Sequence, residues 1–215
     1  VSPRGRRLLV WRHGETDYNV GGIWQGHLDT DLSARGLEQA REAARALARF
    51  APDVIVSSDL RRAAHTAAEL AEVTGLPVHH DARLREIDVG AWQGLSQGDV
   101  AERYPDALAA LARGEDIRRG EHGESVAHVE ERALAAVGDV LAGLADGHTA
   151  VLVTHGVTAR TLVAALVGLD QQAAWRSLMG LRNCHWAELT EQSTGWRIVT
   201  WNSGVTGSVV STSDR

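Results

Sequence analysis

Three short segments carry the residue types best suited to chemistry: Arg12-His13-Gly14-Glu15, Ser57-Ser58-Asp59-Leu60-Arg61-Arg62 and Thr154-His155-Gly156. Arginine's planar fork matches phosphate oxygens, and a neutral imidazole nitrogen is a competent nucleophile toward phosphorus. Two histidines and at least two arginines at one site would therefore suit phosphoryl transfer. Acyl transfer fits less well, because it needs a serine or cysteine nucleophile at a strand-to-helix turn. Zinc chemistry is also poorly supported: His-Glu-x-x-His is absent, and the neighbours His79 and His80 point to opposite faces of any strand. Cys184 is the single cysteine, so it forms neither an internal disulfide nor a Cys-x-x-Cys metal cluster.

These segments must be brought together by the elements that precede and follow them. Residues 7–11, 54–56 and 150–153 are short, β-rich and almost continuously apolar, as strands covered on both faces are. Helical patterns lie between them. Leu37, Ala40, Ala44, Leu47 and Ala48 recur at helix spacing behind a Ser33 N-cap. A second helix is expected from Leu60 to about Thr74, with Gly75-Leu76-Pro77 ending it. A third follows Ser125, and a fourth begins just after His155.

Alternation of this kind predicts an α/β fold: a three-layer α/β/α sandwich, its mostly parallel sheet flanked by helices on right-handed crossovers. Residues 184–189 and 196–201 read as a hairpin that extends the sheet at one edge. In open sheets of this class ligands bind where strands end and helices begin, and all three segments have that address. The expectation is one domain over residues 1–202, with helical and flap insertion material at about 95–124. Residues 114–124 read as too polar and glycine-rich for core, and residues 203–215 as a fraying tail.

Composition narrows the functions. With 44% hydrophobic and 23% charged residues among 215, the chain is not of the disordered or collagen-like type. No run approaches the roughly 18 apolar residues of a membrane helix. The apolar stretch in residues 8–11 is too brief for a signal-peptide core, so no secreted form is expected. A lone cysteine suits a reducing cytoplasm. A formal charge of −6 argues against nucleic acid as the main partner, and no membrane partner is expected. A small anion still fits where positive charge is concentrated locally.

The joint pattern resembles the histidine phosphatase, or phosphoglycerate mutase-like, superfamily. The match runs from Arg12-His13-Gly14 and Glu15-Thr16-Asp17-Tyr18-Asn19 through the segment Gln25–Ser33 and Ser57-Ser58-Asp59-Leu60-Arg61-Arg62-Ala63. It continues in Leu84-Arg85-Glu86, Gly90-Ala91-Trp92-Gln93-Gly94, Gly123-Glu124-Ser125 and His155-Gly156. The resemblance implies a phosphohistidine mechanism with no metal and no cofactor. His13 would be the nucleophile, Arg12, Arg62 and His155 the cationic pocket, and Glu86 the acid that becomes the base. Asn19, Gln25 and Gly26 match positions that contact phosphate or substrate. On chemistry alone Glu15, Asp88 and Glu124 compete with Glu86, and Arg61 competes with Arg62; the family pattern selects Glu86 and Arg62. Glu15 is read as orienting its loop. His27, His65, His79, His80, His128, His148 and His185 are read as surface or packing residues, and Trp24 and Trp92 as walls or core.

The family contains mutases and phosphatases. Mutases carry a longer insertion after the acid/base glutamate, whereas the stretch from Glu86 to Gly94 is compact, so hydrolysis of a small phosphorylated metabolite is expected. Among phosphatases the chain is especially similar to the actinobacterial glucosyl-3-phosphoglycerate group, in Thr16-Asp17-Tyr18-Asn19-Val20-Gly21, Trp92-Gln93-Gly94-Leu95 and Trp196-Arg197. Alternatives are a broad-specificity or α-ribazole-type phosphatase, then a mutase, and outside catalysis a phosphate- or phosphopeptide-binding module. A glycerate-type substrate brings a carboxylate as well, and Arg118, Arg119 or His122 is expected to meet it. Dimers are common in the family, and the edge hairpin offers a contact for a homodimer.

Overall fold

The computed structural model describes residues 5–205. Its centre is a six-stranded sheet of order β3-β2-β4-β1-β5-β6, made from β1 (Arg7–Arg12), β2 (Val54–Ser57), β3 (Val78–His80), β4 (Thr149–Thr154), β5 (Trp186–Gln192) and β6 (Gly195–Ser203). The first four strands run parallel and the final hairpin antiparallel, paired to β1. This is the mixed, mostly parallel α/β/α sandwich that the strand–helix alternation implies.

Every residue of β4 is buried, because this central strand has helices over both faces. Alternation along the strands splits the core in two. Leu9, Trp11, Ile55, Val151 and Val153 pack against α2 (Ala34–Ala48) and α3 (Arg61–Thr74). Leu8, Val10, Val56, Ala150 and Leu152 face α6 (Val126–Gly143) and α7 (Gly156–Leu166). Ala40, Ala43, Ala44, Ala63 and Ala67 line the first interface, and their small side chains let two helices and a sheet approach closely. A third cluster of Ile87, Val89, Trp92, Val100 and Val129 seats α4 (Gln97–Arg103) and α5 (Pro105–Ala112).

The expected helices form with the expected ends. Ser33 caps α2 by accepting from the Gly36 N–H, and Gly75 closes α3 at a φ of 74°. Elements not foreseen are β3, α1 (Asp17–Val20) and α8 (Gln171–Ser177). They are short, and α1 and α8 are held by side-chain caps from Thr16 and Asp170, which leave little apolar periodicity to detect. The hairpin strands run further than expected, to Gln192 and from Gly195. Ser203, placed in the tail, closes β6; residues 206–215 lie outside those described. The polar segment 114–124 is partly core after all: Arg119, Gly120 and Gly123 are buried. Their backbone bonds across to the Asp88–Ala91 turn, with Ala91 N–H donating to the Gly120 carbonyl and Glu124 N–H to that of Asp88.

Register places the rim residues. Arg12 lies opposite Thr154 and Ser57 opposite Val153, so His13, His155 and Ser58 emerge side by side at the carboxyl ends of β1, β4 and β2. The turn after β1 is pressed onto the start of α2: a Cβ on Gly14 would lie 2.4 Å from the Gly36 carbonyl oxygen. Only glycine fits there.

Candidate active site

His13 is 3% exposed. Its Nδ1 lies 2.7 Å from the Gly14 carbonyl oxygen, which can only accept, so Nδ1 carries the proton and Nε2 keeps a lone pair. Burial, and then the charges of Arg62 and Arg12, hold this imidazole's pKa well below the ordinary 6.5. The backbone at His13 is pinned on both sides. Its N–H donates to the Thr154 carbonyl, and its own carbonyl accepts from Cys184 N–H and from Asn183 Nδ2.

His155 is wholly buried, 5.1 Å from His13 between ring centroids. Arg62 Nε donates to its Nδ1 at 3.2 Å, so the proton sits on Nε2, which donates to Ser58 Oγ at 2.8 Å. Burial, then the Arg62 charge, keeps this ring neutral too. Arg62 itself is held by the Leu28 and Gly26 carbonyls at 2.7 and 2.8 Å. Burial pushes its pKa down to about 10, which leaves it cationic at neutral pH. Arg61, by contrast, is exposed and pairs with Asp29 and Asp31.

Arg12 donates from Nη1 to the Leu181 carbonyl, and its guanidinium flanks Gly156. Glu86 flanks the same glycine: a Cβ there would meet Arg12 Cζ at 3.6 Å and Glu86 Oε2 at 3.7 Å. The N-cap residue of α7, His155, makes no side-chain cap, and the Glu86 carboxylate takes that place, accepting from the Val157 and Thr158 N–H groups at 3.2 Å. A carboxylate at a helix N-terminus meets both unpaired donors and the positive end of the helix dipole.

Its sequence competitors are committed elsewhere. Glu15 accepts from Ser33 Oγ and ties its loop to α2, Asp88 caps the Gly90 N–H, and Glu124 pairs with Arg132. Asn19 and Gln25 both reach the site's edge with their amide oxygens in use. Asn19 Oδ1 accepts from Thr16 and Asn183, and Gln25 Oε1 from Thr30 and Thr16. Their NH2 groups are the ends left to meet an anion. Gly26 contributes a carbonyl to Arg62, and its φ of 52° aims it there.

Several residues of the site lay beyond sequence reasoning. Arg132 donates to the Arg83, Arg85 and Glu86 carbonyls and pairs with Glu124, fixing the strap that carries Glu86. Its signal was a charge on the buried face of α6, three residues after Val129 and four before Ala136. His27, read as packing, also donates from Nε2 to the Glu86 carbonyl. Asn183 links the His13 carbonyl to Asn19 from a loop whose register no local pattern announces. The string Gly94-Leu95-Ser96-Gln97-Gly98 has the spelling of a serine-nucleophile turn, but Ser96 caps α4 with its Oγ 2.5 Å from Asp99. Of the three flap cations only Arg119 turns inward; Arg118 and His122 are exposed. Cys184 is buried, and burial raises its thiol pKa, which disfavours the nucleophilic thiolate.

Two imidazoles and two guanidiniums thus converge from the ends of β1, β2 and β4, and the segment after β3 brings in the carboxylate. The model for the histidine phosphatase superfamily (branch 1) matches residues 8–204, and the chain belongs to that superfamily. Among its relatives, the glucosyl-3-phosphoglycerate phosphatase of Mycobacterium tuberculosis is 43% identical over 216 residues, covering 93% of this chain and 96% of the relative. The phosphoserine phosphatase 1 of Hydrogenobacter thermophilus is 37% identical over 79% of this chain and 80% of its own. A solved structure of a mycobacterial glucosyl-3-phosphoglycerate phosphatase with VO3 superposes with a TM-score of 0.86 at 42% identity, covering 93% of this chain and all of that one. Among the described residues no helix is long and apolar enough to cross a membrane.

Proposed function

We propose that the protein hydrolyses a small phosphomonoester through a phosphohistidine, and that its substrate is glucosyl-3-phosphoglycerate or a close analogue. The carrying observation is the Nδ1–H bond from His13 to the Gly14 carbonyl, which leaves a lone pair on Nε2 of a ring that lies within the field of Arg62 and Arg12.

In the first step Nε2 attacks phosphorus, the P–O ester bond breaks, and Glu86 gives its proton to the leaving oxygen. In the second, water attacks phosphorus, Glu86 takes the water's proton, and the P–N bond breaks to return His13 and inorganic phosphate. Arg12 and Arg62 flank the transferring group, with the NH2 ends of Asn19 and Gln25 as further donors; His155, expected as part of the cationic pocket, is instead a neutral ring that positions Arg62 by accepting from its Nε. Such fixed donors can stabilise the charge spread over the phosphoryl oxygens. A module that only bound phosphate would gain nothing from Glu86, because a carboxylate beside the pocket repels the anion.

The identity to glucosyl-3-phosphoglycerate phosphatases over nearly the whole chain supports the substrate. A phosphate-release panel of glucosyl-3-phosphoglycerate, phosphoglycerates, phosphoserine and sugar phosphates, run with and without chelator, tests the reading. The expected result is fastest release from glucosyl-3-phosphoglycerate, unchanged by chelator. Activity lost to chelator and restored by a divalent ion would overturn the metal-free mechanism.

A further inference from the structure

Two more arginines are buried close to the site with donors that no described residue satisfies. Arg119, in the loop before α6, is 3% exposed, and its Nη1 has no hydrogen-bond partner. Arg160, on α7, is 9% exposed, and its Nε has none; its Nη1 reaches only the Leu178 carbonyl, at 3.3 Å. Both guanidiniums lie against one indole. Arg160 Cζ is 3.3 Å and Arg119 Cζ 5.7 Å from the Trp175 ring centroid. Burying two like charges without an anion is costly, and a π face offsets little of that cost.

The Arg119 backbone lies against the Asp88–Ala91 turn that follows Glu86, and the Glu86 charge partly offsets the burial that lowers both guanidinium pKa values, which agrees with a pair on the Glu86 side of the pocket. The helix sets the distance. Arg160 follows Gly156 by four residues on α7, hence on the same face and about 6 Å along the axis. Gly156 is where Arg12 and Glu86 meet. A ligand with its phosphoryl group at His13 therefore extends one helical turn to reach Arg160.

We propose that Arg119 and Arg160, covered by Trp175, form a second anion subsite that takes the carboxylate of a phosphorylated hydroxy acid. The inference rests on the phosphatase reading and narrows its substrate class to acids. Two unpartnered N–H donors suit the two oxygens of one carboxylate. The unpaired donors are shut from solvent, so the carboxylate enters by displacing the Trp175 indole, which is itself 39% exposed.

The test compares Arg119→Gln/Arg160→Gln with the parent on 3-phosphoglycerate, glucosyl-3-phosphoglycerate and p-nitrophenyl phosphate. The expected result is a KM rise for both carboxylated esters about tenfold or more beyond that for p-nitrophenyl phosphate. Equal rises on all three overturn the subsite. A gain for fructose 1,6-bisphosphate as large as for the acids, lost in the same variant, overturns the carboxylate assignment. Tryptophan emission gives a readout independent of turnover and of that variant's folding. In the parent, 3-phosphoglycerate shifts emission where inorganic phosphate does not, and Trp175→Phe abolishes the difference; identical responses to both anions overturn the proposal. A parent protein that hydrolyses no ester but still shows the selective shift would refute the phosphatase reading and leave the subsite standing.

Discussion

Ser58 Oγ lies 2.8 Å from His155 Nε2, on the side of the ring opposite the nitrogen that Arg62 Nε reaches. The two contacts impose one tautomer on a neutral imidazole, because arginine can only donate. Ser58→Ala removes the acceptor for the Nε2 proton and leaves a buried donor unmet, at a cost of about 1–3 kcal/mol in stability. The expected outcome is a lower Tm with the Nε2–H tautomer retained in the nitrogen chemical shifts, because Arg62 still requires Nδ1 to accept. Shifts that report mixed tautomers would show that the Arg62 contact does not govern the ring.

His13→Ala should lower kcat by about four orders of magnitude or more and abolish acid-labile phosphate labelling of quenched enzyme. The nearby His155 offers no substitute, since its Nδ1 lone pair is already bonded to Arg62. Label retained in the variant would place the nucleophile elsewhere.

Protonation of either buried ring is disfavoured by burial and by the neighbouring arginines. Because the folded values lie below the unfolded 6.5, the unfolded chain binds more protons in between, and stability falls as pH drops below about 6.5. Above that pH the contribution is fully present. The acid limb of kcat/KM should likewise lie well under 6.5 if His13 is the group that must stay unprotonated. A limb at 6.5 or higher in a pH–rate profile would contradict the buried, cation-flanked environment.

Arg132 acts through Glu86 and touches no reacting atom, so Arg132→Gln should slow turnover in proportion to how much the leaving group needs a proton. The expectation is a loss of about tenfold in kcat with alkyl phosphates and little with p-nitrophenyl phosphate, at nearly constant KM. A purely structural role would lower both substrates equally. Arg132→Lys keeps the charge but not the forked reach to three carbonyls, and should recover little.

Gly14→Ala tests the turn beneath the nucleophile. The added Cβ would strike the Gly36 carbonyl, and the expected loss is about 1–3 kcal/mol, read as a lower denaturant midpoint, together with reduced kcat. Wild-type stability in this variant would mean that α2 shifts freely.

Much of this was written in local pattern. β1, β2 and β4 are near-continuous apolar runs, so their ends, with His13, Arg62 and His155, could be assigned to one rim before any register was known. The helices α2, α3, α6 and α7 announce themselves by period and by Ser33 or Gly75 at their ends. What stayed hidden depends on contacts distant in sequence. β3 holds three residues, two of them exposed histidines, and exists only because Ile55 to Ser57 offer it an edge. Arg132, Arg160 and Asn183 look like ordinary polar residues until α6, α7 and the loop before β5 are packed. Arg119 sits in a stretch whose polarity reads as solvent-facing, and it is buried by backbone pairing that polarity cannot forecast.

β4 is enclosed along its whole length, and it delivers Thr154 and His155 to the rim. Its amide hydrogens should be among the slowest in the chain to exchange with deuterated water, opening only when the whole sheet does. Group transfer is thereby mounted on a strand enclosed along its whole length, while Arg119 and Trp175, which would sort one metabolite from another, sit on the loop before α6 and on the short α8. Such a division lets descendants of the chain retune their diet by editing the periphery while the reacting centre stays fixed.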